Sequence, residues 1–292
     1  MCSSDLMEYV RGLGLAYIGL GRAYRKLGDK GKRGQYSFKN AQEAFQEAER
    51  CLQKAFEIFG DGTPRVNEPL RRWEALNELG STYTDWAYLL DWYHLRKEAD
   101  EAFQMSVSFQ KQAAQVADEM VKKDPSFGLR LLDSYDDLAY AYAAWGEQDE
   151  AERYLRKIDQ AIPDAYRLVE GQGFQDMPNP VDGYWLVLGK YHLQRGVWAR
   201  QAAEQGRTPQ EKDHRLEESA YHFALALAYF QKFSPEQTYV FVISRTMYQH
   251  FKTLGTQRLE RLRDEVMRVG EQYGVDMSRL LDTLDDTIGI PI

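Results

Sequence analysis

His214, Glu218 and His222 fall four residues apart in "HRLEESAYH", so a helix would carry two imidazoles and a carboxylate on one face. That trio is the arrangement closest to a metal site in the chain, since neutral imidazole and carboxylate are ordinary ligands of zinc. A closed structural site needs a fourth ligand, however, and neither an HExxH, a paired ExxH nor a cysteine cluster accompanies the three. The stripe therefore reads as a surface salt-bridge face, and the sequence implies neither metal nor cofactor. Catalysis fares no better. The chain has no GxxxxGK[ST] loop for phosphates, no GxGxxG following a strand and no GxSxG nucleophile elbow, so an enzyme is not expected. His94 and His250 stand alone and read as packing or surface residues.

Two denser clusters invite binding rather than chemistry. "WAYLLDWYHL" gathers Trp86, Tyr88, Trp92 and Tyr93; a stacking platform is conceivable, but at helical spacing such rings belong in a core. Arg22, Arg25, Lys26, Lys30, Lys32 and Arg33 lie beside a glycine-rich turn, where a solvated loop is the plainer account.

Composition narrows the classes further. Of 292 residues, 43% are hydrophobic and 13% aromatic, enough to bury a core and exclude wholesale disorder. The formal net charge of -8 argues against a general nucleic-acid or anionic-membrane binder, both of which need a cationic footprint. No stretch reaches 18 consecutive apolar residues, so no membrane span is expected. Cys2 and Cys51 are too few for a disulfide framework, which fits a reducing, cytoplasmic setting, with Cys51 as a small buried hydrophobe.

These residues must be positioned by helices. Apolar side chains recur three and four apart in "ALNELGSTYTDWAYLLDWY", "LLDSYDDLAYAYAAWG" and "YWLVLGKYHLQRGVW", and strand-like alternation is nearly absent. Glycine, proline and asparagine gather at "GDKGKRGQ", "GDGTPRVNEP", "KKDPS", "GQGFQDMPNPVDG", "QGRTPQEKD" and "KFSPEQ", cutting the chain into roughly ten or eleven helical segments. Asp124 before Pro125 and Ser234 before Pro235 each place a capping side chain ahead of a first-turn proline. Short connections predict antiparallel neighbours.

Within the helices a tetrad recurs: leucine, a small residue, two of any kind, then a ring. It appears as Leu20, Gly21 and Tyr24; Leu79, Gly80 and Tyr83; Leu138, Ala139 and Tyr142; and Leu188, Gly189 and His192. The leading leucines lie 59, 59 and 50 residues apart, the self-similarity expected of a solenoid. Glycine inside a helix costs about 1 kcal/mol against alanine. A recurring glycine or alanine there predicts notches where a neighbouring helix approaches closely.

The segment "YDDLAYAYAAWGEQDEAERYLRKIDQAIP" resembles a tetratricopeptide repeat. Tyr135, Leu138, Ala139 and Tyr142 match the first helix, Gly146 the turn, Ala151, Leu155 and Ile158 the second helix, and Pro163 its end. Trp185, Leu188, Gly189, His192 and Gly196 match a first helix whose second is displaced by "ARQAAEQGRTPQEKDHRL". Leu20, Gly21 and Tyr24 join Ala41, Phe45 and Ala48 across another insertion, and Leu76, Leu79, Gly80 and Tyr83 lack a clean second half. The resemblance covers residues 14–235 and implies an all-α fold, a right-handed superhelical array of antiparallel hairpins. Such arrays hold peptides or partner proteins on a concave face lined by first helices. By that implication the exposed inner positions are Asn77, Ser81, Asp85, Asp133, Asp136, Tyr140, Lys190 and Gln194. They are acidic and hydroxyl-rich and lack the Lys and Asn clamp with which some members grip a C-terminal carboxylate, so a basic or mixed peptide is the expected ligand.

The ends carry their own expectations. "MCSSDL" resembles the translation of a common short-read sequencing adapter, so residues 1–6 are set apart from the repeat array of residues 7–256 and capping helices of residues 257–292. On that reading the chain is an N-terminal truncation, because "MEYVRGLGLAYIGLGRAY" begins inside an apolar helix without a cap. Long degenerate repeats at a C-terminus also resemble sensor arms of bacterial signal-transduction ATPases and transcriptional activators. The two expectations are thus an interaction scaffold and, alternatively, such a regulatory arm.

Overall fold

Helix succeeds helix along the chain because nearly every segment between breaks keeps the 3.6-residue apolar period. The computed structural model of the chain describes residues 3–32, 34–60, 66–171, 180–206, 208–233, 251–252, 254–274 and 276–278. The described residues form α1 (Ser3–Lys32), α2 (Phe38–Phe59), α3 (Pro69–Trp92), α4 (Arg96–Lys123), a 3-10 turn (Pro125–Phe127), α5 (Gly128–Trp145), α6 (Gln148–Gly171), α7 (Pro180–Gln205), α8 (Pro209–Phe233) and α9 (Thr256–Tyr273). None of these helices is long and apolar enough to cross a membrane. Residues 1–2 and the Ser234–Pro235 pair lie outside the described residues, and Ser3–Leu6 form the opening turns of α1.

The chain divides into two compact units, Met1–Leu168 and Val169–Ile292, so the expected 256/257 division falls within the second. In the first unit, α1 packs on α2, α2 on α3, α3 on α4 and α4 on α5; α1 also packs on α3, and α3 on α5.

Local signals explain the stops. Ser37 Oγ accepts the Asn40 N–H at 3.2 Å and starts α2. Asp124 Oδ1 accepts the Ser126 N–H at 2.9 Å over the following turn, and those hydrogen bonds hold its carboxyl below the ordinary aspartate value. Gly146, at φ 91°, closes α5 with paired bonds from Gly146 N–H to Ala143 C=O at 3.2 Å and Glu147 N–H to Tyr142 C=O at 2.9 Å. The same double bond ends α3, where His94 N–H reaches Asp91 C=O at 2.8 Å and Leu95 N–H reaches Leu90 C=O at 2.9 Å. There the left-handed position is held by His94 itself, at φ 61°.

Two expectations about helix length change. α6 does not end at Pro163 but runs through it to Gly171; proline leaves one carbonyl without its donor, a local loss that the continuing helix outlasts. Most of the stretch read as an insertion after Gly196 is the end of α7 and the start of α8.

Glycines set the α1–α2 contact. A β-carbon at Gly14 would lie 2.5 Å from the Phe59 ring, at Gly21 2.5 Å from Leu52, at Gly28 2.8 Å from the Phe45 ring and at Gly31 2.4 Å from the Ala41 methyl. Gly14, Gly21 and Gly28, seven apart on α1, thus take Phe59, Leu52 and Phe45, seven apart on α2. Beyond them Phe45 stacks on Trp86 at 6.2 Å, and Trp73, Leu76, Ala113, Val116, Ala117 and Met120 join α3 to α4. Cys51 is buried in α2, and that burial raises its thiol pKa.

Candidate peptide-binding face

The six first-unit positions expected on an inner surface sit on α3 and α5. Asn77, Ser81 and Asp85 are half-buried on α3; on α5 Asp133 is half-buried, Asp136 is 1% exposed and Tyr140 is 43% exposed. The two helices meet through Tyr88 and Tyr140, whose rings lie 6.0 Å apart, and through Trp73 Nε1, which donates to Ser134 Oγ at 2.8 Å. Lys190 and Gln194 are half-buried on α7, in the second unit. The side chains of Trp185 and Leu188 lie outside the described residues.

Charges from α1 reach this region. Arg22 Nε lies 2.7 Å from Glu78 Oε1, while Arg25 lies 3.1 Å from Glu78 Oε2 and 3.7 Å from Asp85 Oδ2. Part of the basic cluster read as a loop patch is therefore a helical ion-pair ladder tying α1 to α3. Asp85 faces a guanidinium and Asp136 is buried, while Ser81 and Asp133 are half-buried and the Tyr140 ring is exposed.

A buried polar seam between α3 and α4 escaped the sequence reading. Ser106 Oγ donates to Gly80 C=O at 2.8 Å, Thr84 Oγ1 lies 2.6 Å from Ser106 Oγ, and Gln110 Nε2 donates to Asn77 C=O at 3.2 Å. A β-carbon at Gly80 would lie 2.6 Å from Gln110, so the notch expected there receives an amide instead of a ring. The signal available was an unusual run of small hydroxyls and amides at helix-facing positions. The second unit repeats the device: Ser219 Oγ of α8 donates to Gly196 C=O of α7 at 2.7 Å, with Phe223 filling the Gly196 notch.

The tetrad rings Tyr83, Tyr142 and His192 each reach a neighbouring helix in a different way. Tyr83 OH donates to Glu49 Oε1 at 2.6 Å, and burial followed by that carboxylate raises the phenol pKa. Tyr142 stacks on Tyr154 at 5.8 Å with Lys111 above it at 5.5 Å. His192 stacks on Tyr229 at 5.4 Å and meets His222 with the two Nδ1 atoms 2.9 Å apart. Burial, then His222 and Arg195, push His192 down to about 3.

The trio His214, Glu218 and His222 is not assembled around a common point. His214 is exposed, Glu218 pairs with Arg215 at 2.8 Å, and His222 turns to His192. Among the aromatics of "WAYLLDWYHL", Trp86 and Tyr88 pack inward as expected, whereas Trp92 is 70% exposed beside the His94 turn. The second unit also holds a cleft of about 340 Å³ lined by residues of α8 and α9, among them Glu217, Arg258 and Arg261; Arg261 pairs with Glu217 at 3.3 Å, and Arg258 with Asp213.

No protein-family model matches the chain, and no curated protein matches it.

Proposed function

We propose that the chain is a protein-interaction scaffold, a tetratricopeptide-like array of stacked hairpins that holds a basic or mixed peptide on the face made by α1, α3 and α5 of the first unit. The observation that carries this reading is the packing of α1 on α3 and of α3 on α5, in addition to the hairpin contacts of α1 with α2 and of α3 with α4. Hairpins stacked side by side need both kinds of contact, and they leave one face of the first helices open along the stack. Ser81 and Asp133, with the exposed ring of Tyr140, supply hydroxyl, carboxylate and aromatic groups on that face. An aromatic anchor beside a carboxylate suits an extended segment carrying lysine or arginine.

The test is a basic-peptide array followed by fluorescence anisotropy on the strongest hit. Saturable binding that Asp133→Lys weakens at least tenfold, with Tyr140→Ala weakening it independently, supports the reading. Binding unaffected by either substitution, with both variants helical by circular dichroism, refutes it. Asp136 is left untouched because a lysine at a buried position would unfold the helix pair rather than report on a ligand.

A further inference from the structure

α5 and α6 share a row of phenols on the side of α5 turned away from Tyr140. Tyr142 of α5 stacks on Tyr154 of α6 at 5.8 Å, with the ring planes 16° apart, and Tyr154 meets Tyr135 of α5 at 5.8 Å. Tyr135 and Tyr142 are seven residues apart and so share one side of α5, from which Tyr140 is rotated by about 200° relative to Tyr142.

Cations stand on these rings. Lys157 of α6 lies 4.9 Å from the centre of the Tyr135 ring and 4.8 Å from that of Tyr154, and Lys111 of α4 lies 5.5 Å from that of Tyr142. A ring face attracts an ammonium without cancelling its charge. The carboxylates beside the row are committed to other cations. Asp118 pairs with Lys122 at 2.6 Å, and Glu150, whose field also reaches Lys111, pairs with Arg153 at 3.3 Å. Among the described residues no carboxylate forms an ion pair with Lys111 or Lys157. Locally, then, Lys111, Lys122, Arg153 and Lys157 outnumber Asp118 and Glu150, in a chain whose net charge is -8.

The hydroxyls favour the same kind of ligand. Burial raises the pKa of Tyr135 and of Tyr154, so both stay protonated at neutral pH and able to donate to an anion. The Tyr142 hydroxyl raises the pKa of Lys111 and keeps that ammonium charged. The two ammoniums stand on different rings of the row, which suits an extended chain better than a compact ion. Carboxylates on alternate residues of an extended peptide lie about 7 Å apart, close to the 5.8 Å step from ring to ring.

We infer that this row binds an acidic segment of a partner protein, with side-chain carboxylates on Lys111, Lys157 and the phenol hydroxyls. The site is separate from the face of α1, α3 and α5, whose proposed ligand is basic, and it stands without that reading.

The experiment is fluorescence anisotropy of the full chain with a fluorescein-labelled heptapeptide of alternating glutamate and glycine. The expected result is saturable binding that Lys111→Gln and Lys157→Gln each weaken about fivefold, the effect of losing one exposed ion pair, and that the double variant abolishes. Lys39→Gln, on α2 where the lysine lies 3.8 Å from Glu43, should leave the affinity unchanged. The same peptide with glutamine in place of glutamate should not bind. Circular dichroism separates loss of binding from loss of fold. No saturable binding up to about 1 mM peptide, or equal weakening by Lys39→Gln, would overturn the inference. Displacement of the peptide by inorganic phosphate at the same concentration would overturn it too, because the site would then take a compact ion.

Discussion

Two substitutions on one helix, Gly28→Ala and Gly19→Ala, are expected to move stability in opposite directions. A methyl group at Gly28 would stand 2.8 Å from three atoms of the Phe45 ring, inside the 3.4–4 Å of ordinary contact. Phe45 has no exposed surface and is stacked on Trp86, so the ring has no empty space to enter. Forcing a methyl into such packing costs about 1–3 kcal/mol, and the gain in helix propensity from glycine to alanine offsets about 1 kcal/mol of it. The net expectation is a loss of about 1 kcal/mol. At Gly19 the methyl meets nothing, so only the propensity gain of about 1 kcal/mol remains. For a unit of this size the resulting split corresponds to about 4–8 °C in Tm. Urea unfolding followed by circular dichroism gives both values on one scale. If Gly28→Ala proves as stabilising as Gly19→Ala, the filled notches are not tight and the account of the α1–α2 contact fails.

Further outcomes follow from the same contacts. His192 is held near 3 in the fold against 6.5 in the unfolded chain, so below about 6.5 the unfolded state takes up a proton that the folded state refuses. Stability should therefore fall as pH drops, by about 2 kcal/mol at pH 5 relative to pH 7; denaturant midpoints across that window should flatten in a His192→Phe/His222→Phe variant, and an equal slope in both proteins would reject the His pair as its source. Leu79→Ala and Leu138→Ala, at positions with no exposed surface, should each cost about 2–5 kcal/mol, while Leu20→Ala at 48% exposure should cost well under 1 kcal/mol. His94→Gly should raise stability by about 0.5–1 kcal/mol by relieving the left-handed backbone at φ 61°, and a loss in thermal unfolding would show that the imidazole contributes more than its strain costs.

Much of the fold was legible because helix period, breakers and caps are local signals. Asp124 and Gly146 do at their helix ends what their types dictate. The tetrad located true core positions at Leu79 and Leu138, and its small residues marked close helix contacts at Gly21 and Gly80. Helix length was harder to read. Pro163 does not stop α6, and α1 extends to Lys32 through Gly28 and Gly31, so single breaking residues do not fix where a helix ends.

The candidate site was less legible because a helical wheel gives direction but not depth. Asp133, Asp136 and Tyr140 share one face of α5 by spacing, yet their exposure runs from 1% at Asp136 to 43% at Tyr140, with Asp133 half-buried. Which of them a ligand can touch depends on how far the neighbouring helices extend. Partner choice has the same origin. Local spacing grouped His222 with His214 and Glu218, four residues apart, while the ring it meets belongs to His192, 30 residues earlier on another helix. Leu20 makes the point most sharply. It opens a tetrad as Leu79 and Leu138 do, and its glycine is filled from α2 in the expected way, but the leucine itself faces outward. Leu79 and Leu138 have no exposed surface, whereas Leu20 is 48% exposed, so one spacing of leucine, small residue and ring sets the direction of a side chain and leaves its depth to the neighbouring helices.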